Sequence, residues 1–390
     1  MTNVRIARQP ILNDGQIVQG YELLYPTGGV DETLAAARIT IEALSEIGFE
    51  RLVGLSRAWI NVTPEFLAGD MVLNLPPDRV VLELSPQLGE DHATLARVDG
   101  LRDNGYSFAI DSFTLTSDPN PLLDLVDFVK LDMSEIGARE VARHAFELRS
   151  ARVELVACNV HTGEEFELAK AAGASLFQGF FFCRPHMLPG RRITPSRVAM
   201  LQLSSALQDP EVQLEDLERI ISNDVALSYR LLKYINSAYF GIRNEITSIK
   251  QALALLGIEP LRRWATLSIF AEVGDQPREL LVTALIRARF CETAGTSEDG
   301  RPAELFTLGL FSVLDALTGT PMYTAIADLP LAPVLHDALL RHSGPGRLLD
   351  SVIAIEAGEF DRANEITPNG SQAYLDAVAW SNEVGASMLV

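Results

Sequence analysis

Basic side chains are scarce in this sequence: 32 Lys and Arg stand against 52 Asp and Glu, a formal net charge of −20. A field of that sign repels phosphate backbones and anionic lipid, which argues against general nucleic-acid or membrane-surface binding and leaves room only for a local basic pocket. Cysteine is rarer still. Cys158, Cys183 and Cys291 are too few for a disulfide framework, and their spacing matches no zinc pattern. Apolar runs all fall short of the roughly 18 residues that cross a bilayer. The opening MTNVRIARQPILNDG lacks the long apolar core of a signal peptide. No internal repeat or low-complexity tract stands out. These absences lead us to expect a soluble, cytoplasmic chain with no nucleic-acid and no membrane partner.

What is present suits two globular domains. The chain has 390 residues, 47% of them hydrophobic and 22% charged, enough for two buried cores and against extensive disorder. Up to about residue 190, strand-like runs alternate with helix-like segments. VVLEL (80–84), SFAI (107–110), FVKLDM (128–133) and VELVAC (153–158) are short, apolar and rich in β-branched residues. A helix is predicted over 91–103, with Leu95, Val98 and Leu101 roughly on one side. Another starts at Thr162, with a capping-box spacing to Glu165, and stops at Gly173. Strand–helix alternation predicts a parallel sheet covered by helices, either a barrel or a doubly wound sheet.

The texture changes at MLPGRRITPSR (187–197), whose prolines, glycine and arginines read as a boundary. Beyond it the signal is helical. Ser248 can cap a helix striped by Ile249, Ala252, Leu253 and Leu256 and stopped by Gly257; Leu227, Leu231, Leu232 and Ile235 stripe the helix before it. The expected division is residues 1–190 for the α/β part and 191–390 for an all-α bundle.

Acidic and amide side chains fall at or near predicted strand ends: Glu22, Asn61, Glu83, Asp111 and Asp132. In a barrel, strand C-termini converge on one face, so these groups could share a site. Oxygen donors of this kind suit hard divalent cations, and two-metal phosphodiester hydrolysis needs several carboxylates together. Equally, each acid could cap a helix or face solvent after its strand.

ARQPILNDGQIVQGYELLYP resembles the opening of the EAL family of cyclic-di-GMP phosphodiesterases, in the branch where an EAL domain precedes an HDOD domain. The resemblance continues in register through INVTPEFL, VLELSP, FAIDSF, VDFVKLDMSEI and VACNVHTGEEFELAKAAGASLFQGFFFCRP, covering essentially the whole first domain. It implies a TIM-like (β/α) barrel whose catalytic members hydrolyse cyclic-di-GMP with two divalent cations. Glu22, Asn61, Glu83, Asp111, Lys130, Asp132 and Gln178 match that family's site. Pro26 replaces a phosphate-holding arginine, Ser112 the second of two metal-bridging aspartates, and Cys158 and His161 two glutamates. Two adjacent dications need carboxylates to offset their charge, and a neutral thiol is a poor ligand for magnesium or manganese. The lost guanidinium also removes a phosphate clamp.

ISNDVALSYRLLKYINSAYFGIRNEITSIKQALALLGIEPLRRW is similar to the HDOD signature, with Leu231, Asn236, Ser237, Phe240, Ser248-Ile249, Ala252 and Leu256-Gly257 as landmarks. The resemblance implies a helical HDOD bundle derived from HD phosphohydrolases. The HD doublet would fall at Ser312 and Val313. The literal doublet His336-Asp337 lies late in the domain, with no histidine between Pro195 and Leu335 to complete a binuclear site, so it reads as a coincidence.

From these substitutions the sequence leads us to expect a non-catalytic signalling or scaffold protein, with no metal and no cofactor. The alternative is a receptor that binds cyclic-di-GMP without hydrolysing it. Pro26 and the loop after Ser112 argue against the nucleotide as a partner. The expected partners are signalling proteins (a diguanylate cyclase, a phosphodiesterase or a histidine kinase), with self-association into a homodimer through the barrel.

Overall fold

The computed structural model describes residues 5–25, 48–113, 120–148, 151–184, 277–327 and 331–388, together with stretches of 202–265. The boundary segment 187–197, Pro26, and the landmarks Asn236, Ser237 and Phe240 lie outside the described residues.

Eight strands close into a barrel in chain order: β1 (Ala7–Asn13), β2 (Val18–Leu24), β3 (Arg57–Asn61), β4 (Val80–Leu84), β5 (Ser107–Ile110), β6 (Phe128–Asp132), β7 (Glu154–Cys158) and β8 (Leu176–Gln178). The barrel, one of the two arrangements the alternation allowed, is thus the one formed. From β2 to β8 neighbouring strands run parallel. β1 departs from the expected parallel sheet, running antiparallel to both β2 and β8. Local turn chemistry explains this. Asn13 Oδ1 accepts from the backbone N–H groups of Gly15 (3.0 Å) and Ile17 (2.9 Å), and Gln16 takes φ 59°, folding the chain straight back on itself.

The helices of this half are α1 (Phe49–Val53), α2 (Pro64–Ala68), α3 (His92–Asp103), α4 (Met133–Leu148) and α5 (Gly163–Ala172). Asp91 caps α3 by accepting from the N–H groups of Ala93 and Thr94. Thr162 and Glu165 form the anticipated capping box on α5, and Gly173 ends it in the left-handed region. Inside the barrel, Ile11, Trp59, Val81, Ala109, Val156, Cys158 and Leu176 form a small core of their own. Residues of alternate orientation pack outward against the helices.

The second half is helical throughout its described residues: α6 (Leu214–Ser222), α7 (Val225–Ile235), α8 (Ile249–Leu256), α9 (Arg278–Ala294), α10 (Pro302–Phe311), α11 (Leu314–Thr318), α12 (Met322–Ala325), α13 (Pro333–Arg341), α14 (Arg347–Glu356), α15 (Phe360–Ile366) and α16 (Gly370–Met388). Ser248 caps α8 and Gly257 closes it, as the sequence predicts. The outer barrel core and the bundle core are one continuous apolar cluster. α16 packs on α1 and β1, and α14 on β1.

Candidate functional site

The carboxyl ends of the parallel strands carry a polar layer above the apolar barrel interior. Alternation along each strand explains its composition: in β2, Tyr21 and Leu23 point away from the barrel axis and Glu22 points to it. Glu22 and Glu83 are almost wholly buried, at 5% and 1% exposure, and Lys130 from β6 is equally buried at 2%. The Lys130 ammonium lies 2.8 Å from Glu22 Oε2, 3.0 Å from both oxygens of Glu83 and 3.4 Å from Asp111 Oδ1. Two carboxylates on strands β2 and β4 and one just past the end of β5 thus converge on one cation.

Amides complete the network. Asn61 Nδ2 donates to Glu22 Oε1 at 2.9 Å, and Gln178 Nε2 donates to Glu22 Oε2 and to Gln9 Oε1. Gln178 is oriented by the Cys158 thiol, which donates to its Oε1 at 3.3 Å. Asp132 stands apart on the half-exposed rim, accepting from Ser134 N–H (2.8 Å), the Ser134 hydroxyl (2.6 Å) and Asn159 Nδ2 (2.7 Å).

The charges respond to this packing. Burial opposes ionisation of Glu22, but the Lys130 ammonium and the donated hydrogen bonds outweigh it and hold the carboxyl below its ordinary range. Glu83 goes the other way, raised by burial and by the negative charge of Glu22. Burial disfavours the Lys130 ammonium, yet Glu22 and Glu83 keep it charged well beyond the usual lysine range. Burial also pushes the Cys158 thiol well up, so it is a neutral donor rather than a thiolate.

The structure therefore brings together Glu22, Asn61, Glu83, Asp111, Lys130 and Gln178, with Asp132 on the rim. Ser112 is exposed on left-handed backbone (φ 48°), and its neighbour Phe113 donates its backbone N–H to Lys130 O at 3.0 Å. His161 is exposed, its backbone N–H donating to Glu165 at the start of α5. Sequence reasoning missed Gln9, which faces Glu22 across the β1–β2 pair, and Tyr25, whose hydroxyl donates to Asn61 O. The period-2 alternation of β1 was the available signal for Gln9. In the bundle, Ser312 and Val313 end α10, where the Ser312 hydroxyl donates to Gly309 O (2.7 Å) and Val313 is buried. His336 and Asp337 sit on α13, with Asp337 3.6 Å from Arg341 of the same helix.

Among the described residues no three His, Cys, Asp or Glu side chains stand in an arrangement that holds a metal ion as it is. The donor chemistry does fit one. Three carboxylates and the Asn61 amide are a hard-oxygen set of the kind that magnesium or manganese prefers. The Lys130 ammonium stands in as their cation. Ser112 adds no charge for a second ion. No helix among the described residues is long and apolar enough to cross a membrane.

Comparison with known proteins agrees with this architecture. Residues 64–185 match the EAL domain model and 194–319 the HDOD domain model. The chain is 31% identical over 405 residues, 98% of its length and 94% of the relative's, to a Vibrio cholerae protein named cyclic di-GMP phosphodiesterase CdgJ. It is 27% identical to the uncharacterized protein YuxH of Bacillus subtilis, covering 98% of each. A calcium and cyclic-di-GMP complex of BlrP1 from Klebsiella pneumoniae aligns with 46% of this chain and 55% of its own, at 24% identity and a TM-score of 0.37.

The near full-length likeness to a protein named a phosphodiesterase overturns the expectation of a non-catalytic chain, and leaves the binding-only alternative unsupported. In the folded site the Lys130 ammonium offsets the Glu22, Glu83 and Asp111 carboxylates together, and the Cys158 thiol serves as a donor to Gln178.

Proposed function

This chain belongs to the family of two-domain proteins in which an EAL domain precedes an HDOD domain, and on that premise we propose that its barrel mouth hydrolyses a phosphodiester bond of cyclic-di-GMP. The reading rests on the convergence of Glu22, Asn61, Glu83, Asp111 and Gln178 around Lys130, in a chain whose relative of nearly equal extent is named for that activity. We place the barrel in residues 1–190 and the bundle in 191–390, meeting near residue 190.

Glu22, Asn61, Glu83 and Asp111 are the residues that would hold a divalent ion. Such an ion would supply Lewis-acid stabilisation of the charge that builds on the phosphoryl oxygens. The chain's own groups do the rest. Lys130, freed from the carboxylates, is a buried cation for a nonbridging phosphate oxygen. Asp132, held by Ser134 and Asn159 on the rim, is placed to take a proton from the attacking water. The water oxygen bonds to phosphorus, the phosphorus–oxygen bond to the ribose breaks, and the leaving ribose oxygen takes a proton from solvent to become an alcohol, while Asp132 returns the water's proton to solvent. Gln178 and Gln9 keep Glu22 in register throughout. The same proposal sets the activity in cytoplasmic cyclic-di-GMP signalling, with other signalling proteins and a second copy of the chain as partners.

The test is direct. Purified full chain with cyclic-di-GMP and Mg2+ or Mn2+ yields the linear dinucleotide, and Glu22→Gln slows the reaction roughly 100- to 1,000-fold. Absence of linear product with either ion overturns the reading.

A further inference from the structure

The back of the β1–β2 pair carries a buried polar seam against the bundle. Tyr21 donates from its hydroxyl to Glu279 Oε2 of α9 at 2.8 Å, with both residues under 7% exposed. Arg8, 4% exposed, lies over the Tyr21 ring with its guanidinium carbon 4.2 Å from the ring centre. Its Nη1 donates to Leu52 O and to Asn382 Oδ1 of α16, while Nε and Nη2 find no partner among the described residues. Tyr374 of α16 approaches the backbone N–H of Arg8 at 3.5 Å.

Register ties this seam to the site. Gln9 and Glu22 are direct partners in the antiparallel pair, and Arg8 and Tyr21 are their chain neighbours on the opposite face. Each strand therefore offers one residue to the bundle and the next to the barrel mouth. A burial-driven interface would favour apolar side chains here. Instead it carries buried polar groups, two guanidinium nitrogens of them without a partner among the described residues, an arrangement that costs stability.

We propose that Glu279 is a positioning residue for the barrel mouth, acting through the Tyr21 hydroxyl to hold β2 in the register that presents Glu22. The bundle is thereby part of the site's support. This inference rests on the reading of Glu22 as a divalent-ion ligand. A displacement of β2 moves the Glu22 carboxylate relative to Asn61, Glu83 and Asp111, and misplacement of about 1 Å at such a site costs up to 100-fold.

The experiment uses the full chain with Tyr21→Phe, Glu279→Leu, Glu279→Gln and the Tyr21→Phe/Glu279→Leu pair. Mn2+ affinity is read by calorimetry, and kcat and KM from cyclic-di-GMP hydrolysis. Tyr21→Phe and Glu279→Leu each weaken Mn2+ binding about fivefold and lower kcat about tenfold, leaving KM for the nucleotide within twofold. The double variant is no worse than the poorer single one, and Glu279→Gln, which keeps an oxygen acceptor, restores most of the loss. If Glu279→Leu does not fold, Tyr21→Phe and Glu279→Gln decide the matter. Unchanged Mn2+ affinity and kcat in Tyr21→Phe, additive losses, or a wild-type chain that binds no Mn2+ overturns the inference. Weakened Mn2+ binding in the variants of a chain that forms no product supports the brace and overturns the hydrolytic reading alone.

Discussion

The ammonium of Lys130 lies 2.8 Å from Glu22 and 3.0 Å from Glu83, a single buried cation between two carboxylates that burial would otherwise neutralise. Removing that cation leaves the carboxylates uncompensated, a loss of the class that costs about 3–5 kcal/mol. Lys130→Met therefore lowers the melting temperature by several degrees in a chelator. Mn2+ then restores more stability to the variant than to the wild type, because the ion takes up the same carboxylates. Scanning fluorimetry with and without Mn2+ checks both parts.

Cys158 stands where the resemblance places a glutamate, and its thiol is a neutral donor to Gln178. Cys158→Glu adds a carboxylate beside Glu22, Glu83 and Asp111. Without metal the variant is destabilised by like-charge crowding; with metal it binds Mn2+ roughly tenfold more tightly. Calorimetry and melting curves read the reversal.

Burial raises the Glu279 carboxyl to about 7, well above its ordinary 4.5. Arg8 on β1, Tyr21 on β2, Cys183 after β8, Arg278 on its own helix, Glu356 on α14 and Tyr374 on α16 are charged and titratable groups around it. A carboxyl raised in the folded state favours folding fully below its unfolded value, and that contribution is lost as pH climbs toward 7. The amount is on the order of 3 kcal/mol. Glu279→Gln thus melts near the wild type at pH 5 and a few degrees above it at pH 8, measured by calorimetry at both.

Gly179 follows the site residue Gln178 at φ 144°, and a Cβ there would run into the Val160 backbone. Val160 N–H donates to Gln178 O at 3.0 Å, and Phe181 N–H to Val160 O at 3.2 Å, so the clash falls on the joint between β7 and β8. Gly179→Ala costs roughly 1–3 kcal/mol of stability. It lowers activity by loosening Gln178. Urea unfolding and the hydrolysis assay measure the two effects.

Strands β4, β5, β6 and β7 are legible in the sequence because each is apolar and largely buried on both faces, so it reads as a continuous run. β1 and β2 are not. Their runs mix Arg8, Gln9, Gln19 and Glu22 with apolar residues, and the Asn13–Ile17 turn that pairs them antiparallel is a local signal easily passed over. The acids at the mouth are legible as oxygen donors at strand ends, but their joint balance by Lys130 is not, since it depends on barrel closure. The Tyr21–Glu279 bond spans 258 positions and exists only once bundle and barrel dock. No spacing in the sequence encodes it.

Turnover of cyclic-di-GMP at the barrel mouth decides the proposed function. A single-turnover reaction, with the full chain in large excess over labelled cyclic-di-GMP and Mn2+ present, tests it most directly. The expected result is complete conversion to the linear dinucleotide by the wild type and none on the same timescale by Glu22→Gln. Labelled nucleotide that stays cyclic with the wild type, or equal conversion by both proteins, contradicts it.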